Sequence, residues 1–561
     1  MKGNPFLKAM EISKGTVSIL DKDCVVYSRI WCIFELYKSL MDRKDDYKFD
    51  VYTEHDWKVN EKLSSGSFID DDDAIGLTDG FIDDDNQFVG TPNPVFKKLR
   101  ESQFPLERIL QAGAIDIKKA VASEAIDEKK IKNIITNQNE DDDPPEHHDN
   151  YEKLNNLIRG FFVSSSLDRI LKDESIESDQ KSIYFDILKQ SSVTVIYLDM
   201  HSYTLFDDSV AAQLAVSLPS SITSFTFASV GSSVTFLGIQ TIFRGLANLT
   251  NLEMLSLYYN SIDDETCSVL ADAIRNSNNI RQLDLRGNKI GDEGVKALAD
   301  ALSNNHNLKI RDLCNNQISV DGVIARAAAL RTNNTLKRLS LENNKVGDEG
   351  VKALADALST NQCLESINLG SNEISDEGAI SIAAVLRIHN TLKKLDLKIN
   401  ILSDEGAKAL ADALLTNQSL EELHLGVNGI SDEGVIAIAA ALKINNTLKL
   451  LSLASIKVGD EGVKAVADAL STNQCLERLH LGGNRISDEG AIAIAAALRV
   501  NSTLAVLTLD VNQIGDEGAL AIAAALKLNR SLKLLSLDHN SEISQQIMEY
   551  IASTMSKKNS M

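Results

Sequence analysis

The sequence predicts an α/β solenoid in which a short parallel strand and a helix alternate, strands on the concave side and helices on the convex side. Three observations carry this reading. A leucine or isoleucine returns every 28 residues without slip, at Leu252, Ile280, Leu308, Leu336, Leu364, Leu392, Leu420, Leu448, Leu476, Leu504 and Leu532. Each unit reads LxxLxLxxNxI and continues through a Gly- or Ser-DEG signal into an amphipathic run. The chain has 561 residues, more than one compact core needs, and a stacked array absorbs that length because each unit touches only its neighbours.

The unit from Ile280 to Asn307 shows how one repeat is built. Leu283 and Leu285 alternate with polar neighbours, which is strand periodicity. Asn288 follows at the bend, where its side chain can bond backbone groups that no strand partner reaches. Asp292 and Glu293 open a helix, and Asp292 is expected to cap it. Val295, Leu298, Ala299 and Leu302 recur at helical spacing and give one apolar face, while Gly294 leaves room for close helix packing. The DEG carboxylates could be read as a catalytic pair or a metal site. Helix capping explains them better, since no enzyme needs such a pair once in every repeat. The recurrent Asn is structural for the same reason.

These units resemble the leucine-rich repeat family, in particular the ribonuclease-inhibitor-like arrays of NOD-like immune receptors and of the Ran GTPase-activating protein. The resemblance covers roughly half the chain. It implies a parallel concave sheet, convex helices and recognition of a protein on the concave face. A second order lies above the repeat. Units near Ile280, Leu336, Leu392 and Leu448 carry VKALADAL-type helices, and those near Leu364, Leu420 and Leu476 carry AIAIAAAL-type helices, a pattern of 56-residue duplication. Ile456 replaces the recurrent Asn, and Arg311 stands where other units have a buried Leu or Ile.

The net charge is −23 and the pI about 4.9, which argues against a general nucleic-acid or anionic-membrane binder. Six cysteines are scattered with neither metal spacing nor a paired framework, so a reducing, cytoplasmic setting is expected. No secretory pattern opens the chain and no apolar run is long enough to span a membrane. No cofactor motif appears.

Residues 1–136 are of another kind. GTVSILD and YKFDVYTE read as strands and YSRIWCIFELYKSL as a helix, part of an α/β layer. SRIWCIFEL resembles the WCxxEL signature of TIR domains, with AMEISKGTVSILDKDCVVYS fitting the elements that lead into it. That resemblance implies NAD cleavage through Glu35. The first strand, first helix and following loop of such a domain should precede Met1, so no turnover is expected from this chain. FIDDDDAIGLTDGFIDDDNQFVG lacks the ligand spacing of a calcium loop and reads as a solvated loop. Residues 137–150 read as an acidic linker, in which His147 and His148 could bind metal only weakly. Residues 151–190 read as a helical cap, 191–543 as an array of about thirteen units with the first two degenerate, and 544–561 as a capping helix and tail.

The sequence therefore points to a non-enzymatic interaction scaffold. Its candidate partner-binding residues are the open-face positions Tyr258, Tyr259, Arg286, Glu342, Lys394, Lys398, His424, Arg478, His480 and Asp510. Regulation of a small GTPase is the alternative from another class, and NAD cleavage through Glu35 the third.

Overall fold

The computed structural model describes residues 15–20, 48–53, 76–78, 116–120, 125–139, 142–172, 176, 178–199, 206–228, 234–275, 277–302 and 305–559. The chain divides into two compact units, residues 1–252 and 253–561. Glu35, the helix read around it and nearly all of the acidic loop lie outside the described residues.

In the first unit, β1 (Gly15–Leu20) pairs in parallel with β2 (Lys48–Thr53), and β3 (Gly76–Thr78) lies antiparallel to β2. The two strands read from GTVSILD and YKFDVYTE are β1 and β2. Three helices follow, α1 (Ala125–Thr136), α2 (Asp149–Lys172) and α3 (Ser178–Gln190). Between α1 and α2, His147 takes a hydrogen bond with the Lys118 Nζ (2.8 Å) and His148 Nδ1 accepts from the Asn150 amide (3.1 Å). The pair is thus engaged separately rather than aimed at one ion. Next come β4 (Val195–Asp199), α4 (Asp208–Ser217), β5 (Ser224–Ala228) and α5 (Phe236–Leu246), with β4 and β5 paired in parallel at a 29-residue offset. These are the degenerate units. Phe206, Phe225, Phe227 and Phe243 are fully buried and fill them.

The second unit alternates strand and helix: β6 (Met254–Ser256), α6 (Asp264–Ile274), β7 (Gln282–Asp284), α7 (Asp292–Ala301), β8 (Ile310–Asp312), α8 (Val320–Thr332), β9 (Arg338–Ser340) and α9 (Gly347–Leu358). It continues through β10 (Ser366–Asn368), α10 (Asp376–Leu386), β11 (Lys394–Asp396), α11 (Asp404–Leu414), β12 (Glu422–His424) and α12 (Asp432–Leu442). It ends with β13 (Leu450–Ser452), α13 (Asp460–Leu470), β14 (Arg478–His480), α14 (Asp488–Leu498), β15 (Val506–Thr508), α15 (Asp516–Leu526), β16 (Leu534–Ser536) and α16 (Gln545–Asn559). Strands β6 to β16 stand in sequence order and pair in parallel, each residue beside its counterpart 28 positions on, such as Leu395 beside Leu423. The middle residue of each strand points into the core. Leu283, Ile367, Leu423 and Leu479 are 0–1% exposed, and a Leu so buried contributes about 2 kcal/mol of transfer free energy.

Three side-chain devices stitch one repeat to the next. The recurrent Asn is the first. Asn400 Nδ2 donates to the carbonyls of Leu369 and Leu397 (3.0 Å each), and its Oδ1 accepts from the amides of Asn372 and Ile374 (2.9 and 3.0 Å). It therefore serves its own turn and the turn before it. Ile456 is fully buried at this position and offers neither function.

The second device corrects the capping expectation. The N-cap of α7 is Gly291, which has no side-chain cap, and Asp292 does not cap its own helix. Instead Asp292 accepts from the amide (2.8 Å) and hydroxyl (2.6 Å) of Ser319, at the start of the following helix. Asp348, Asp376, Asp404 and Asp460 do the same for Ser375, Ser403, Ser431 and Ser487. Asp208 already does it for Thr235 in the degenerate pair. The Gly of each DEG is required here. A Cβ on Gly434 would stand 2.7 Å from Asp404 Oδ1 and from Ile430 Cγ2.

The third device lies at the opposite ends of the helices. Asn445 Nδ2 donates to the carbonyls of Leu414 (2.9 Å) and Asn417 (3.1 Å) one repeat back, and its Oδ1 accepts from the Leu448 amide (2.9 Å). Asn361, Asn417, Asn473, Asn501 and Asn529 repeat the arrangement. His389 replaces this Asn once. Its Nδ1 accepts from the Leu392 amide (3.2 Å), which leaves one N–H where an amide has two.

Arg311 is the largest fully buried side chain of the second unit, at the β8 position where the other strands carry Leu or Ile. Arg326 stands at the matching core position of α8 and is also buried. Among the described residues the Arg311 guanidinium has no hydrogen-bond partner. Burial pushes Arg311 well below the usual arginine range, with the Arg326 charge adding to it, and burial takes Arg326 down to about 10.

Candidate functional site

The open face of β6 to β16 is set by the pleat. In the LxL at the centre of each unit the leucines point in, and the residues before, between and after them point out. In-register pairing then lines up the outward residues in rows. Tyr258, Arg286, Glu342, Lys398 and Asp510 fall in one row, His424 and His480 in a second, and Lys394 and Arg478 in a third.

Tyr258, Tyr259 and Arg286 come together near the β6 end. The Arg286 guanidinium lies 5.3 Å from the Tyr258 ring centre, a cation–π distance, and is held by Asp284 at 3.1 Å. The two rings meet edge to face at 5.9 Å. Tyr259 does not project from the strand. It sits in the left-handed turn after it (φ 56) and lies against Gly287, where a Cβ would come within 2.2 Å of its ring. Tyr259 remains 52% exposed, and Met254, at the other end of the strand, 39%.

Glu342 and Lys398 form a second group across two strands. The carboxylate takes Lys398 Nζ and Asn368 Nδ2, each at 2.8 Å. Burial alone would raise Glu342, but these two hydrogen bonds outweigh it and hold the carboxyl below its ordinary range. The same contact raises Lys398.

Lys394, His424 and Arg478 share a carboxylate that the sequence reading missed, that of Glu422. Arg478 reaches it from two strands away (2.8 Å), Lys394 from one strand away (3.3 Å), and His424 Nε2 lies 3.6 Å off on the same strand. Burial pushes Glu422 up and the Lys394 and Arg478 charges more than reverse this. Burial holds both His424 and His480 below the usual imidazole range, so both are neutral at pH 7. His480 Nδ1 meets Thr508 Oγ1 at 3.3 Å. The Asp510 carboxylate closes over Gly482, where a Cβ would stand 2.8 Å from either oxygen. The signal for Glu422 was available. A 28-residue offset from Lys394 lands on it, and a 56-residue offset leads from it to Arg478.

The arrangement presents preorganised charge networks flanking an aromatic, partly apolar end. Among the described residues no three His, Cys, Asp or Glu side chains are grouped to hold a metal ion, and no helix is long and apolar enough to cross a membrane.

Two family models match the chain. The leucine-rich repeat model matches residues 276–299, 332–355, 360–383 and 389–411, and the TMOD/LMOD leucine-rich domain model matches residues 427–553. No curated protein sequence matches. Among solved structures, the leiomodin-1 actin-binding site 2 is similar at 24% identity over 28% of this chain and 89% of its own, with a TM-score of 0.26. A chain of the Rad7 and Elc1 complex in yeast is similar at 17% identity over 61% of this chain and 82% of that chain, TM-score 0.40. An internalin from Listeria monocytogenes is matched at 21% identity over 57% of this chain and 88% of that chain, TM-score 0.36. The family matches fall on the 28-residue units whose strands and helices are described above, and the chain is a leucine-rich repeat protein.

Proposed function

We propose that this chain is a non-enzymatic protein-binding scaffold of the ribonuclease-inhibitor-like type, which takes a protein partner across its concave face. The Tyr258–Tyr259–Arg286 cluster is the observation that carries the reading. Two rings locked edge to face, Tyr259 exposed and Tyr258 half-buried, with a guanidinium stacked on the second, are the residue types that dominate binding hot spots, already ordered before contact. Glu342, Lys394, Lys398, His424, Arg478, His480 and Asp510 then act as the orienting rim. The charges of Glu342, Lys394, Lys398 and Arg478 are already paired on the face, so these residues select a partner by charge pattern rather than supply most of the affinity. The four described cysteines are free, which supports a reducing, cytoplasmic setting and a role in intracellular signalling or sensing.

The double substitution Tyr258→Ala with Tyr259→Ala, made in the full chain, tests the anchor. Proteins retained by the wild-type chain should be lost from the variant while the melting midpoint moves little. A large fall in stability with unchanged retention overturns the anchor. The parallel pairing of β1 and β2 supports a TIR-like origin for the N-terminal region. NAD consumption that disappears in Glu35→Ala, or stimulation of a small GTPase, would replace the scaffold reading with an enzymatic or regulatory one.

A further inference from the structure

The convex helices expose two alternating surfaces. In α9, α11 and α13 the outermost positions read Lys-Asp-Thr: Lys352, Asp356 and Thr360, then Lys408, Asp412 and Thr416, then Lys464, Asp468 and Thr472. In α10 and α12 the same positions read Ile-Ala-Ile, and Ile380, Ile388, Ile436 and Ile444 are 45–65% exposed. Contiguous exposed apolar patches mark surfaces that another molecule covers. The alternation fails once. Helices α14 and α15 are neighbours and both are apolar outside. Ile492, Val500, Leu520 and Leu528 are 40, 61, 46 and 65% exposed, with the exposed Ala496 and Ala524 between them. The four large residues enclose a patch of about 12 Å along the helices and about 10 Å across them.

We propose that this double ridge is an isologous dimer interface whose occupant is a second copy of the chain, packed antiparallel. Charge decides the occupant. Each of the two helices begins with an exposed acid, Glu489 or Glu517, and ends with an exposed base, Arg499 or Lys527. A two-fold axis across the helices sets each ridge against its own counterpart running the other way. Glu517 then meets Lys527 of the second copy. Glu489, which Lys464 of its own chain holds at 2.9 Å, comes opposite Arg499 of the second copy with less charge to offer, and the apolar residues between them close on each other. The isolated ridges cannot pair in this way. The α10 ridge is flanked by Asp356 and Asp412, and the α12 ridge by Asp412 and Asp468. Each of these aspartates would face itself across the same axis, a like-charge contact that costs energy. Among α9 to α15, only between α14 and α15 is no such aspartate interposed.

Sedimentation velocity on the full chain over a concentration series tests the proposal. The wild type should pass from monomer to dimer. The chain's own alternative pattern supplies the variant: Ile492→Lys, Ala496→Asp and Val500→Thr together reproduce the surface of α13, which the array tolerates, and should leave a monomer. The same exchange at Ile380, Ala384 and Ile388 should leave the dimer intact. Glu517→Lys should weaken the dimer about tenfold or more, and adding Lys527→Glu should restore it. These two exposed charges also decide the matter if the triple variant fails to fold. A wild type that stays monomeric, a triple variant that still dimerises, growth beyond the dimer into open filaments, or a charge exchange that does not restore pairing each overturns the inference.

Discussion

The Asp404 carboxylate accepts from the Ser431 hydroxyl at 2.6 Å and from the amides of Ser431 and Gly434 at 2.8 and 2.9 Å, all one repeat further along the chain. The DEG aspartate is thus a clamp between repeats. Asp404→Ala should cost about 2 kcal/mol, since it leaves two helix-start amides and a hydroxyl without their charged acceptor. Glu405→Ala, next to it and exposed, should stay within about 0.5 kcal/mol. Urea melts of the two variants compare a clamp with a surface carboxylate. Equal melts would reduce the clamp to ordinary helix-end charge.

The Asn ladder predicts two opposite effects. Asn428→Ala should destabilise by about 1–3 kcal/mol, because Nδ2 bonds to the Leu397 and Leu425 carbonyls and the Leu402 amide bond to Oδ1 are lost in the interior. Ile456→Asn should be neutral or stabilising, because it supplies the missing rung. Denaturant midpoints at unchanged m-value check both.

Arg311→Leu should stabilise the array by about 1–4 kcal/mol. It replaces a buried guanidinium lacking any hydrogen-bond partner among the described residues with the side chain most other repeats use there, and it relieves Arg326. A thermal melt is sufficient. A destabilised Arg311→Leu chain would mean the charge is satisfied in a way the surrounding residues do not supply.

The buried imidazoles give a pH dependence of defined sign. His389, His424 and His480 are all held below the ordinary value of 6.5, by burial first. The unfolded chain therefore takes up protons that the folded chain refuses. Their stability is present above pH 6.5 and is lost as pH falls from there through the folded values. Glu342 and Glu422, held below 4.5, add a second loss at lower pH. His389→Asn should raise stability at neutral pH by completing the helix-end ladder, and should flatten the upper of the two losses. Urea melts between pH 7 and pH 5 measure the slope on which this rests. An unchanged slope in His389→Asn would assign the whole effect to the two open-face histidines.

How much was legible depended on where a residue's partner lay. The strand leucines and the turn asparagines follow from local period, and the structure seats them accordingly. Asp292 was misread because its partner, Ser319, is 27 residues away, and a local reading sees only the helix that the aspartate begins. The helix-end asparagines were hidden inside Asn-rich loops. Glu422 was legible through the 28-residue offset from Lys394 and the 56-residue offset to Arg478, but not from its immediate neighbours in the chain. Tyr259 looked like a face residue because the pattern does not mark where the three-residue strand stops. The TIR-like reading of Glu35 lies outside the described residues.

The clamps and ladders together make array length a free variable while the rows of the open face stay in register. Excising residues 420–447 would bring Asp404 to the amides of Gly459 and Gly462, which Asp432 now serves, and the helix stack would close without a gap. The same excision removes Glu422 and leaves Lys394 beside Leu450. Recombination between repeats would therefore rewrite the charge pattern of the open face in whole steps while keeping the side-chain stitching that holds the scaffold together.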